Sequence, residues 1–432
     1  MIRILKGSLL HTPEKDCFSV HPDSYLVIRD GLVEGIYGEL PDLYKEIPVE
    51  EFPGKLIIPG FADLHAHAPQ YLNCGIGYDE ELLPWLQKYT FPLESRYKDL
   101  RFAETAYKRF IADLWRAGTT RASIFATKHL PATKLLFELF RESGLGAYVG
   151  KVNMDRNAVP ALEEKTAESL AETEEFILGA RDPEDLVKPI ITPRFVPCTT
   201  PELMTGLGLL AEKYDVPIQS HLSENRDEIE LVKKLHPEIG SFTEVYETYG
   251  LLKRDRTIMA HGVYLDSKER EILLDRGIYI AHSPQSNFNV SSGTMPLREY
   301  LDSGMRLGLA SDVAGGHSLS MPHNIVTARA ASNQYWVDHP ECPKARLSEV
   351  FYLATKGSGA FFGKVGSFEP GYEADLLVVD DRYGESLVER TLEERLQRFI
   401  YTGDDRSIEK RVVRGKDLPC PFADEDGVRH PA

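Results

Sequence analysis

Pro59-Gly60-Phe61-Ala62-Asp63-Leu64-His65-Ala66-His67, with the apolar run Leu56-Ile57-Ile58 leading into it, decides how this chain is read. The pattern predicts a buried strand over 56–67 that ends in two histidines. Side chains at i and i+2 of a strand share a face, so His65 and His67 present two imidazoles to one point, which is half of a metal site. An isolated His-x-His is more often just two polar strand residues. The reading therefore turns on whether further ligands stand at the ends of other strands.

Downstream, strand-like and helix-like stretches alternate. Strands are expected at 56–67, 119–126, 147–154, 187–195, 217–223, 257–262, 279–284 and 306–312, with helices at 102–116, 131–143, 163–178, 201–214 and 267–276 between them. Eight strands alternating with helices is the pattern of a (β/α)8 barrel. The span 59–362 exceeds the about 250 residues usual for that fold, which leaves room for inserted loops. One insert, residues 70–98, carries Trp85-Leu86-Gln87-Lys88-Tyr89-Thr90-Phe91-Pro92. It is expected either to cover the catalytic end or to pack outside the barrel. Both chain ends read as short strands and turns, with Asp30-Gly31 between apolar runs marking a hairpin. The expected fold is thus α/β: a TIM barrel over 59–362 and a small β-sandwich-like domain built from 1–58 and 363–432.

The missing ligands do appear at strand ends. The fifth strand closes with Ser220-His221-Leu222-Ser223-Glu224, the sixth with Met259-Ala260-His261-Gly262 and the eighth with Ser311-Asp312-Val313-Ala314-Gly315-Gly316. These are C-terminal strand ends, where barrel enzymes place their sites. Each residue alone has a structural explanation, a hydrogen-bonded His or a turn-forming Asp. Several polar groups at one end of different strands are costly to bury without a shared purpose. His65, His67 and His221 offer neutral nitrogens and Asp312 an oxygen. That set suits one Zn2+ per chain, with Fe2+ or cobalt as alternatives. Such an ion lowers the pKa of a bound water toward about 7. Glu224 can accept that proton and pass it to a substrate ring nitrogen, Asp312 can orient the attacking hydroxide, and His261 can stabilise it.

Composition narrows the partners. The 432 residues are 42% apolar and carry a net charge of −17, which argues against nucleic acid or anionic membrane as a ligand. Five scattered cysteines without a C-x-x-C pair, no signal-like start and no apolar run near the about 18 residues of a membrane span make a cytoplasmic protein the expectation. The absence of C-x-x-C also excludes the small zinc deaminase scaffold, and no H-E-x-x-H protease motif is present.

The run His65-Ala66-His67, His221-Leu222-Ser223-Glu224, Met259-Ala260-His261-Gly262 and Ser311-Asp312 resembles the metal-dependent amidohydrolase superfamily in its deaminase branch. Longer stretches are similar to the guanine deaminase family: Ala68-Pro69-Gln70-Tyr71, Trp85 to Pro92, Val149-Gly150-Lys151-Val152, Thr192-Pro193-Arg194-Phe195, Ser220 to Arg226, Asp312 to Gly316 and Thr402-Gly403-Asp404-Asp405-Arg406. The resemblance implies a mononuclear zinc enzyme, usually a homodimer, that hydrolyses free guanine to xanthine and ammonia. It implies zinc on His65, His67, His221 and Asp312, and Glu224 as proton shuttle beside His261. Gln70, Arg194 and the backbone around Phe195 would hold the purine, in contact also with His67, His221, Glu224 and Asp312. A guanidinium suits the O6 acceptor, and an amide offers both donor and acceptor to the ring edge. Three other readings stay open: a binuclear hydrolase using a carbamylated Lys151, a deaminase of 8-oxoguanine, cytosine or an aminotriazine on the same metal set, and an inactive scaffold. His129, His282 and His317 also lie near strand ends or loops; for His282 packing and a pocket role are both open.

Overall fold

The computed structural model describes residues 1–182, 184–382 and 387–423. Its chain passes between two sheet systems at Gly60. Val49–Pro59 is the middle strand of a seven-stranded mixed sheet, in the order Lys416–Asp417, Ile408–Val413, Leu376–Val379, Val49–Pro59, Ile2–Glu14, Cys17–Arg29, Leu32–Tyr37. Ile57 pairs with Leu9 on one side and Val378 on the other. The Gly60 N–H then donates to Asp375 O at 3.0 Å, and a Cβ at this position would lie 2.5 Å from the Thr120 side chain. Phe61–His67 follows as a separate strand in another sheet. The expected single strand over 56–67 is therefore two, and Leu56-Ile57-Ile58 is core of the end sheet rather than the start of the histidine strand. Both chain ends do meet in one sheet, but that sheet is single, not sandwich-like. The Asp30-Gly31 hairpin is present, with Arg29 opposite Leu32 and both turn residues at positive φ (51° and 82°), as a two-residue turn between right-twisted strands requires.

The remaining strands are parallel; apart from the short pair Val152–Asn153 and Thr192–Pro193, they run in chain order in two sheets. Phe61–His67, Thr119–Phe125, Gly146–Gly150 and Val187–Pro189 form one four-stranded sheet. Ile218–Leu222, Thr257–His261, Tyr279–His282 and Arg306–Leu309 form a second. Neither seam between the two carries a continuous ladder. At one, Ile191 bridges to Ile218, and Gln219 N donates to Ile191 O at 2.9 Å. At the other, Asp312 N donates to His65 O (2.8 Å) and His67 N to Val313 O (2.9 Å). The architecture is barrel-like, with mixed α/β content. Phe61–His67, Thr119–Phe125, Ile218–Leu222 and Thr257–His261 are buried along their whole length, as strands covered on both faces are. Helices cover them. Leu100–Arg116 is typical: Asp99 caps its first turn by accepting from Arg101 N, and Ala103, Ala106, Tyr107, Phe110, Ile111 and Leu114 form one buried face at helical spacing. Among the described residues no helix is long and apolar enough to cross a membrane.

The insert after the first strand is a run of short helical turns: Ala68–Asn73, Leu82–Trp85, Leu86–Thr90, Phe91–Glu94 and Ser95–Lys98. The Leu86–Thr90 turn is widened to π pitch. Pro92 lies just beyond it, and a proline there cannot donate to the carbonyl four residues back and crowds it, which opens the turn. Trp85 Nε1 donates to Ile76 O at 2.9 Å and Asn73 Nδ2 to Tyr89 O at 2.9 Å, while the Tyr78 hydroxyl reaches Ala314 O at 2.7 Å. The insert is thereby pinned across the mouth of the eighth strand.

Candidate active site

The strand ends converge as their sequence periodicity requires. His67 Nε2 lies 3.1 Å from both His65 Nε2 and His221 Nε2. Asp312 Oδ1 lies 3.0 Å from His65 Nε2 and 3.4 Å from His67 Nε2. Donors about 2.0–2.1 Å from a tetrahedral ion stand about 3.3 Å apart, so these spacings are those of the edges of one coordination tetrahedron. His221 Nδ1–H donates to the Arg194 carbonyl at 2.7 Å, which leaves Nε2 as the lone-pair nitrogen facing the cluster. Burial first, and then the neighbouring His65, holds the His221 imidazole well below its ordinary pKa, and burial brings His67 down to about 3. Both rings are thus neutral, the form that ligates a metal.

His261 is part of the same cluster. His65, His221, His261 and Asp312 bring one ligand atom each to within 4.8 Å of one another, a grouping that substitutes His261 for His67. His67 Nε2, outside that grouping, makes the three short edges given above. His261 Nε2 instead faces the carboxylates, 3.3 Å from Glu224 Oε2 and 3.6 Å from Asp312 Oδ2. Its Nδ1–H is fixed on Asn287 Oδ1 at 3.0 Å. Glu224 also accepts from the Ser292 hydroxyl at 3.1 Å. Burial and then the charge of Asp312 push the Glu224 carboxyl well above the usual range. For Asp312 burial acts the same way, but the adjacent His65 and His67 rings outweigh it and hold the carboxyl well below its ordinary value.

Three of these strand ends turn through left-handed backbone at residues other than glycine: Ser223 (φ 47°), His261 (φ 71°) and Asp312 (φ 46°). Such conformations cost of order 1–3 kcal/mol each and persist where surrounding contacts over-determine them. Those contacts are visible. Asp63 Oδ1 accepts from His65 N (3.2 Å) and Ser311 N (3.0 Å), tying the first strand to the eighth. Glu228 accepts from Glu224 N at 2.9 Å; burial and the Glu224 charge raise its own pKa to about 8.

A small cavity opens onto this cluster. His67, His221, Glu224, His261 and Asp312 stand on one side. Gln70, Arg194, Phe195, Ser286, Gly315 and the insert residues Leu82, Trp85 and Leu86 complete it. The insert therefore covers the site instead of packing outside. All the residues singled out in the sequence for metal, proton transfer and substrate line this cavity or, for His65, lie directly behind it. The Phe195 carbonyl, however, is taken by Cys198 N (3.0 Å) and the Thr199 hydroxyl (3.1 Å). Lys151 is an ion-pair residue: its buried ammonium donates to Glu164 and lies 3.4 Å from Glu172. His282 is fully buried, is not a lining residue, and is kept neutral by burial, its pKa down to about 3. The sequence reading missed Glu94, a carboxylate 1% exposed that accepts from both Gln70 and Arg194. Its signal was a lone acid in the apolar run Phe91-Pro92-Leu93-Glu94, since a buried charge must have a partner.

Residues 56–418 match the model of the amidohydrolase family. Guanine deaminase of Dictyostelium discoideum is 39% identical over 97% of this chain and 98% of that protein, and guanine deaminase of Mus musculus is 41% identical over 88% and 85%. The chain belongs to the amidohydrolase family, in its guanine deaminase branch. Among solved structures of the family, guanine deaminase from C. acetobutylicum with bound guanine in the active site superimposes with a TM-score of 0.95 at 47% identity, covering 97% of this chain and 100% of that one. The family's metal dependence agrees with a cluster of imidazole nitrogens and a carboxylate oxygen at tetrahedral spacing.

Proposed function

We propose that this chain hydrolyses guanine to xanthine and ammonia, with one Zn2+ on His65, His67, His221 and Asp312. The observation that carries the reading is the pairing, across one small cavity, of a neutral-imidazole and carboxylate cluster with Gln70 and Arg194. The chemistry such an ion supplies is acidification of water toward a pKa of about 7. The chain's own residues do the rest. Arg194 and Gln70 hold the ring by its polar edge. Glu224, whose carboxyl is poised above the usual range, takes a proton from the attacking water and delivers it to N3, beside the C2 under attack. A second proton moved the same way lets the C2 amine leave as ammonia. His261, oriented by Asn287, faces the oxygen on which charge develops through Nε2. Leu82, Trp85 and Leu86 keep bulk water from the reacting atoms. The same reading takes the two four-stranded sheets, bridged at both seams by hydrogen bonds, as one closed (β/α)8 barrel over 59–362. The end sheet is then a small domain of 1–58 and 363–432, of which 383–386 and 424–432 lie outside the described residues.

Ammonia release from guanine, adenine, cytosine and 8-oxoguanine by zinc-loaded protein tests this. Release from guanine far above the others is expected. Release from another base alone would keep the metal cluster and remove the substrate assignment of Gln70 and Arg194.

A further inference from the structure

Glu94 ends the Phe91–Glu94 turn of the insert and is almost fully buried. Its Oε1 accepts from Gln70 Nε2 at 3.0 Å and from Arg194 Nη1 at 2.8 Å, and its Oε2 accepts from the same Nη1 at 2.8 Å. The Arg194 guanidinium also lies over the Phe91 ring, 5.5 Å from its centroid. An ionised carboxylate only accepts, whereas an amide has one accepting and one donating end. Glu94 therefore dictates which way round the Gln70 amide stands: Nε2 faces the carboxylate, and Oε1 is the atom left for the cavity. The protein neighbour of Oε1 is Ala314 N at 3.5 Å, the long limit of a hydrogen bond. Arg194 lines the cavity, and with Nη1 engaged its other guanidinium N–H groups are the donors it has left to offer there. One acceptor beside a set of donors is the complement of an H–N–C=O edge.

We propose that Glu94 is a positioning residue that selects a lactam edge, fixing Gln70 as acceptor for a ring N–H and Arg194 as donor to the adjacent carbonyl oxygen. The proposal rests on the functional reading above, in which guanine supplies N1–H and C6=O. It adds that discrimination at N1 is set by a residue that does not itself touch the base. A ring with a lone pair at N1 would meet the Gln70 oxygen acceptor to acceptor, an unpaired contact in a dry site.

The test compares guanine with 2-aminopurine, which keeps the C2 amine but has a lone pair at N1 and no oxygen on C6. In Glu94→Gln the new amide can accept from Arg194 and donate to Gln70, which frees the Gln70 amide to turn its donor inward. The ratio of kcat/KM for guanine to that for 2-aminopurine is expected to fall by about tenfold or more, measured on zinc-loaded enzyme with metal content verified. An unchanged ratio, with both substrates losing equally, would make Glu94 merely structural and overturn the proposal. Gln70→Leu, which leaves the Glu94–Arg194 pair intact, covers a Glu94 variant that does not fold: removing an inward acceptor lowers the same ratio, and a constant or rising ratio overturns the proposal. Failure of the underlying reading looks different, because the parent enzyme itself would then release no ammonia from guanine.

Discussion

The two walls of the cavity are built in different ways. On the metal side, every side chain leaves the C-terminal end of a parallel strand, and the register of neighbouring strands fixes its place: Leu222 stands beside His261, and His282 beside Leu309. On the substrate side, Gln70, Leu82, Trp85, Leu86 and Glu94 all come from the insert, and Arg194 is the strand residue they close upon. The first wall is held by ladders of backbone hydrogen bonds. The second is fastened to the barrel mainly by side chains, through apolar packing of Leu82, Trp85, Leu86 and Phe91, the Glu94–Arg194 ion pair and a few hydrogen bonds. In the proposed function, chemistry thus falls to the strand-borne wall and choice of substrate to the insert.

The sharpest way to break this contrast is to strip the metal. Dialysis against a chelator is expected to abolish ammonia release, and about one Zn2+ per chain to restore it; restoration only at two per chain would revive a binuclear site. Glu224→Gln comes next, with kcat lowered about 10²–10⁴-fold and metal content unchanged. A variant as active as the parent would remove Glu224 from proton transfer. Arg194→Ala should lower kcat/KM for guanine about 10²-fold, about 3 kcal/mol for a lost charged hydrogen bond. Zinc affinity should hold, because His221 is oriented by the backbone carbonyl of residue 194 and not by its side chain. The same variant should lower the melting temperature, since it leaves Glu94 buried without its cation. The smallest effect belongs to Leu82→Ala, a rise in KM of up to about tenfold with kcat kept, as expected where contact is made equally to ground and transition states. A large fall in kcat would instead assign the insert a part in the chemical step.

The same contrast explains what could be read from the sequence. His65, His67, His221, His261 and Asp312 were legible because strands have a period of two and barrel sites gather at one strand end. Glu94 was not, because no periodicity governs an insert whose helical pitch changes several times within residues 82–98. The division of 56–67 at Gly60 was hidden by the unbroken run Leu56-Ile57-Ile58-Pro59-Gly60-Phe61-Ala62: residues on both sides of the break are buried, so hydrophobicity does not change across it. The single end sheet was missed for a related reason. Its strands come from opposite ends of the chain, and pairing such as Val378 with Ile57 leaves no local signature.

Asp63, His65 and His67 on the first strand meet Ser311 and Asp312 beyond the last at the seam where the two sheets have no ladder, and His221, 154 residues from His67, belongs to the second sheet. An ion held there acts as a clasp as well as a reagent. It fastens the beginning, middle and end of the core to one another, closing chain loops far longer than any hairpin. Binding only the folded chain, it adds about 4.1 kcal/mol at a free concentration a thousand times its dissociation constant. On the function proposed above, loss of the ion removes one fastening from this seam and leaves its backbone hydrogen bonds, and the metal-free chain should be the first to yield to heat and proteases.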